Sequence, residues 1–165
     1  MLIKMNVVGL TIDPFTNAPI IILKDKEEKN TLPIWIGIME ASAIASELEK
    51  MEFSRPMTHD LLHNILKKME VKVERVELTD LVESVYYAKI FMSDGSETFT
   101  VDARPSDAIA LALRAKTQIF VDSLVLEKSK EIELPKGLDS KGVSNADFTS
   151  KLDDFSPEDF GKYKM

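Results

Sequence analysis

Apolar and polar residues alternate over residues 4–12, the period of a strand with one covered face. A loop rich in turn residues, 13–19, leads to a short apolar strand over 19–23 and a charged hairpin loop over 25–30. A third strand follows over 31–36, and its Pro33 argues for an edge or a strand start. These three strands read as an antiparallel meander. Gly37 ends it, and a helix runs to about Glu52 with Ala41, Ile44, Ala45, Leu48 and Met51 on one face and Glu40 in the position of a capping acid. Thr58 reads as the cap of a second helix that buries Leu62, Ile65, Leu66 and Met69 and shows His59, His63, Lys67 and Lys68 to water. Residues 71–78, 85–92 and 97–103 form a second meander, with Asp94-Gly95 as a hairpin signal.

The period changes in the middle of the next stretch. Phe99, Val101 and Ala103 alternate with Thr98, Thr100 and Asp102, which predicts a strand with one buried face. Pro105 stops that strand, Ser106 reads as a helix cap, Asp107 sits in the first turn, and strong helix formers continue to Arg114. Asp102, Arg104, Ser106 and Asp107 are thus crowded at a helix N-terminus, where free N–H groups favour anions such as phosphate. Arg55-Pro56-Met57-Thr58-His59-Asp60 repeats this grammar, and two of the four arginines sit in the two Arg-Pro turns. A short internal echo also aligns 34–41 with 101–108, so Glu40 and Asp107 should hold comparable positions.

A last short strand over 118–121 and a helical turn or two over 123–130 complete the body. Residues 131–165 carry prolines, glycines, scattered aromatics and an acidic cluster, and read as a tail with little core of its own that docks on the body or on a partner. The expected fold class is α+β: two antiparallel β-meanders in a mixed sheet assembly with three main helices, over 1–130. Exposed apolar residues, for which Trp35, Phe91 and Met92 are the candidates, and a Pro-bearing edge strand predict a homodimer.

Composition narrows the setting. With no cysteine, disulfides and thiolate metal sites are excluded. No stretch reads as a signal peptide or reaches transmembrane length, which predicts a cytoplasmic protein without a membrane partner. The net charge of −7 weighs against nucleic acid as a partner unless a basic patch or a metal ion offsets it.

Candidate chemistry gathers at the junctions. His59-Asp60-Leu61-Leu62-His63 resembles a zinc-protease helix, but the acid is shortened and the chain has no third histidine, so His63 reads as part of a solvated face. His59, in a first turn beside Asp60, is a candidate acid or base. Glu40, Asp60, Asp102 and Asp107 each have a capping role alone. If the fold brings them together they could hold Mg²⁺ or Mn²⁺, with Glu40, Asp102 and Asp107 as the ligand set. There is no glycine-rich phosphate loop, serine nucleophile elbow or dinucleotide fingerprint.

At these residues the chain resembles the bifunctional nuclease family, a bacterial, archaeal and plant domain that cleaves DNA and RNA. The resemblance is carried by Leu32-Pro33-Ile34-Trp35-Ile36-Gly37 with Glu40-Ala41 and Ala43-Ile44-Ala45, by Arg55-Pro56-Met57-Thr58-His59-Asp60-Leu61-Leu62, and by the run from Val101 to Ala112. It implies a nuclease, and Glu40, Arg55, Thr58, His59, Asp60, Asp102, Arg104, Ser106 and Asp107 occupy its motif positions; we expect Glu40, His59, Asp60, Asp102 and Asp107 to be catalytic and Arg55, Thr58, Arg104 and Ser106 to contact phosphate. We further expect Glu40, His59, Asp102, Arg104 and Asp107 to lie around one cleft at the helix N-termini. The acidic composition keeps a second hypothesis open: a non-enzymatic module that binds an anion or a partner protein.

Overall fold

A computed structural model describes residues 1–130 and Ile132. The tail expected over 131–165 lies, apart from Ile132, outside the described residues. The first meander is β1 (Leu2–Ile12), β2 (Pro19–Asp25) and β3 (Thr31–Trp35), and helices α1 (Ile38–Leu48) and α2 (Thr58–Lys68) follow it. The second is β4 (Lys72–Val82), β5 (Val85–Ser93) and β6 (Thr98–Ala103), followed by α3 (Pro105–Ala115), β7 (Gln118–Asp122) and α4 (Ser123–Ser129). Both meanders form through antiparallel pairing, as the alternation predicts. Gly95 takes φ +90° in the β5–β6 turn, where the Asp94 carboxylate accepts from the Ser96 and Glu97 N–H groups.

The two meanders belong to one seven-stranded sheet in the order β3-β2-β1-β7-β4-β5-β6. Strand β7 pairs antiparallel with β1 and parallel with β4, which makes the sheet mixed. The sheet is curled. The Tyr86 hydroxyl of β5 donates to the Pro33 carbonyl of β3 at 3.3 Å, although five interstrand steps would hold these strands roughly 24 Å apart in a flat sheet. Inside the curl lies α3, apolar on nearly every side, with Ala108, Ile109, Ala110, Leu111 and Ala112 almost wholly buried. Among the described residues no helix is long and apolar enough to cross a membrane.

Several expectations change at the surface. Strand β6 has no buried face, because it is the sheet's outer strand and α3 leaves it to reach β7; Phe99 and Val101 stay part-exposed. Helix α1 ends at Leu48, so Met51 lies beyond it and is exposed. Helix α2 is turned the other way from the predicted orientation. It buries no residue fully, and Leu62, Ile65 and Met69 are exposed while Leu66 alone of that set packs on the core. The polar residues His59 and Asp60 face inward, because α3 presents Asp107 and a buried Arg114 to them. Of the apolar residues expected on the surface, Met92 is buried, Phe91 lies under the Arg75 guanidinium at 3.9 Å, and Trp35 donates its indole N–H to Asp13 at 2.9 Å.

Candidate functional site

The N-termini of α1, α2 and α3 meet at one end of the concave face. Helices α1 and α3 start alike: Gly37 and Arg104 are extended caps, and Glu40 and Asp107 are each the third helical residue. Pro105 takes the first helical position, where its fixed φ and missing N–H cost nothing, so Ser106 is the second helical residue and buried, not the cap. Thr58 is likewise the first residue of α2; Met57 is the cap, and its N–H donates to the Asp60 carboxylate at 2.9 Å.

One connected chain of polar contacts results. Arg104 Nη1 donates to Glu40 Oε1 at 2.7 Å and Arg104 Nε to Asp107 Oδ2 at 2.8 Å. The other Asp107 oxygen lies 2.9 Å from His59 Nε2. Burial alone would raise the Asp107 pKa, but the hydrogen bonds with Arg104 and His59 outweigh it and hold the carboxyl below its ordinary value. An ionised Asp107 can only accept, so Nε2 carries a hydrogen, and in the neutral form of the ring the lone pair lies on Nδ1. The carboxylates of Asp107 and Glu40 in turn raise the Arg104 pKa. Gly37 makes room for this chain, since a Cβ there would collide with Glu40 Oε2.

The chain of contacts stands at the mouth of a cleft of about 790 Å³. Glu40, Thr58, His59, Asp102, Arg104 and Asp107 all line it, so the expected convergence is present. Its walls are largely apolar and include Met39, Met51, Phe53, Leu62, Ile90 and Val101.

Three candidates fall elsewhere. Asp60 receives Arg114 Nε at 2.6 Å, with Arg114 itself almost fully buried. Burial pushes the Asp60 pKa up, and the bonds from Arg114 and the Met57 N–H more than reverse that. Arg55 is exposed in the loop before α2 and does not line the cleft. Ser106 is packed into the α3 N-terminus. His63 is half-buried, not solvated, and burial, with Lys67 and Arg114 nearby, depresses its pKa.

Sequence reasoning missed Arg114, whose Nη1 also donates to the carbonyls of Ala43 and Ala110 at 3.0 Å and so ties α1, α2 and α3 together. The available signal was an arginine ending an otherwise apolar helix. Among the described residues, no three His, Asp or Glu side chains gather in a way that could hold a metal ion. Glu40 and Asp107 direct an oxygen each to Arg104, a cation already seated between them. As arranged, this set does not fit a resident metal.

The sequence profile of the bifunctional nuclease domain matches residues 21–133. The chain belongs to that family. A protein of Mycobacterium tuberculosis named only as uncharacterized is 33% identical over 163 residues, covering 95% of this chain and 97% of the relative. Bifunctional nuclease 2 of Oryza sativa subsp. japonica is 29% identical over 117 residues, which is 68% of this chain and 36% of that protein. Bifunctional nuclease 1 of Arabidopsis thaliana is 32% identical over 108 residues, 63% of this chain and 33% of that protein. The bifunctional nuclease domain thus forms most of this chain, and the matched part is about a third of each plant protein.

Proposed function

We propose that this bifunctional nuclease domain protein hydrolyses phosphodiester bonds of both DNA and RNA at the cleft mouth. The observation that carries this reading is the hydrogen-bonded order Glu40–Arg104–Asp107–His59. Asp107 fixes the His59 tautomer and would stabilise the imidazolium, leaving Nδ1 to take a proton from an attacking water or from a ribose hydroxyl. Arg104 is 65% exposed, and with Nε and Nη1 bonded to acids its outer edge is turned to solvent, where it can meet a phosphate oxygen. Thr58, exposed at the rim, is a second phosphate contact. In this reading Asp60 positions α2 through Arg114 and touches no substrate.

Mg²⁺ or Mn²⁺ remains part of the proposal only as an addition with substrate, facing Glu40, Asp102 and Asp107; no step is derived through it. The test is cleavage of single-stranded DNA and RNA by highly purified protein, in chelator and with added Mg²⁺ or Mn²⁺, beside Asp107→Asn and His59→Gln. Cleavage by wild-type protein that both substitutions abolish is the expected result. Equal cleavage by all three proteins would reject the assignment.

A second reading is favoured by charge. Three carboxylates (Glu40, Asp102 and Asp107) against one guanidinium (Arg104) leave the cleft mouth at two negative charges with His59 neutral, which suits a non-enzymatic module that binds a partner. We further infer a homodimer, supported by the exposed apolar side chains Leu61 and Ile65 on α2 and Met69 at its C-terminal cap. A cytoplasmic setting accords with a chain that has no cysteine; recovery of the protein in a secreted fraction would refute it.

A further inference from the structure

We propose that the apolar cleft is a subsite for one unpaired nucleobase, and that it prefers the 6-amino and 4-amino bases, adenine and cytosine, over uracil and thymine. The proposal rests on the nuclease reading and names the substrate class of that same site: single strands and unpaired loops.

The cleft is continuous with the Glu40–Arg104–Asp107–His59 chain and its volume is within the range that encloses a small ligand. Met39, Met51, Phe53, Leu62, Ile90 and Val101 offer a base apolar and polarisable surface for its faces. Apart from Thr58 and the Glu40–Arg104–Asp107–His59 chain, the polar side chains of the lining, Ser42, Ser46 and Asp102, are acceptors. The Ser42 hydroxyl donates to the Ile38 carbonyl at 2.8 Å and the Ser46 hydroxyl to the Ala43 carbonyl at 3.1 Å, so each presents only lone pairs to the cleft. Asp102, with no ion pair among the described residues, adds a carboxylate that can accept from an amino group. Acceptors facing the two carbonyls of uracil or thymine disfavour them, whereas the amino group of adenine or cytosine satisfies an acceptor.

The same surface explains how an acidic chain could take nucleic acid. Among the described residues lining the cleft Arg104 is the one Lys or Arg, so phosphate neutralisation contributes little and base burial carries recognition. A duplex, with its bases stacked inward and its phosphates outward, would present to Glu40, Asp102 and Asp107 the charge they repel.

Mononucleotides test this independently of cleavage, since they contain no phosphodiester bond. Adenosine, cytidine and uridine 5′-monophosphates and base-free ribose 5-phosphate are titrated into the full chain and followed by backbone amide resonances of the cleft. Adenosine and cytidine monophosphates should bind roughly fivefold tighter than uridine monophosphate, the size of one satisfied hydrogen bond. Ribose 5-phosphate should be weaker than all three. The exposed-site double substitution Met51→Ser/Leu62→Ser should weaken adenosine monophosphate roughly tenfold and leave ribose 5-phosphate unchanged. Binding of a short single strand should fall with salt at a slope near −0.7, that of about one phosphate contact. Equal affinity for ribose 5-phosphate and the nucleotides, no effect of the double substitution, or a slope several times steeper would each overturn the subsite. Base-dependent binding by a protein that never cleaves would instead reject the nuclease reading and leave the subsite standing. Cleavage without base discrimination would do the reverse.

Discussion

Glu40 and Asp107 occupy the third position of α1 and α3, and the single guanidinium of Arg104 bonds to both. Because Arg104 itself caps α3, the two halves of the chain are locked together at the point where the candidate chemistry sits.

Substituting that guanidinium separates structure from activity. Arg104 is 65% exposed, so its two ion pairs should contribute less than about 1 kcal/mol to stability. Arg104→Lys should unfold within that margin of the wild type in urea. Loss of the planar fork should still lower cleavage, by roughly tenfold or more. Full cleavage by a folded Arg104→Ala protein would remove this residue from the site.

Asp60 should behave in the opposite way. Its partner Arg114 is only 4% exposed, and removing the carboxylate strands a buried cation. Asp60→Ala should cost about 3 kcal/mol in urea unfolding, with cleavage per folded molecule reduced far less than by Asp107→Asn. A stability change of only a few tenths would show that α2 does not depend on this pair.

Acid should expose the same groups. The Asp60 and Asp107 carboxyls, despite burial, are held below their ordinary values by Arg114 and by Arg104 with His59 respectively. A folded-state pKa below the unfolded one stabilises at pH values above the unfolded value, near 3.9, and the gain disappears as pH falls through the folded value. Urea midpoints should be level above about pH 5 and drop below about pH 4. Asp60→Asn should flatten part of that drop; an unchanged slope would refute the linkage.

At Gly37 the requirement is space. Its φ of −75° suits any residue, but an added Cβ would displace Glu40 Oε2. Gly37→Ala should fold with a stability within about 1 kcal/mol of the wild type and lose cleavage in parallel with Glu40→Gln. Activity equal to the wild type would show that the Glu40–Arg104 contact is dispensable.

The outward face of α2 tests assembly. Ile65 is 46% exposed, so Ile65→Lys should change the stability of a monomer by no more than about 0.5 kcal/mol. If that face joins two copies, sedimentation should show a dimer for the wild type and a monomer for the variant. A wild-type monomer at micromolar concentration would dismiss the dimer.

Much of this architecture is legible in the residue pattern, because period-2 alternation and turn residues such as Asp94-Gly95 act locally. The alignment of 34–41 with 101–108 also places Glu40 and Asp107 at matching helix positions, as found. What the pattern hides is long-range. Leu62, Ile65 and Met69 have helical spacing for a buried face, yet Arg114, more than forty residues later in the sequence, claims Asp60 and turns α2 over. Phe99 and Val101 alternate as a covered strand would, yet nothing in their own segment tells that β6 lies at the sheet's edge. The cleft lining was legible at Arg104 and Asp107 and at Thr58 and His59, and not at Arg55, which lies outside the cleft although its own motif reaches it.

The strand order has a consequence for synthesis. The meander β1–β3 and the meander β4–β6 share no ladder; β7, from the end of the described chain, is the strand that joins them. While the chain emerges from the ribosome, each half can form its own hairpins, but the hydrogen bonding edges of β1 and β4 stay open until residues 118–122 are out. Closing the sheet therefore requires β7 to insert between β1 and β4, and a nascent chain stalled before it would leave both edges unprotected.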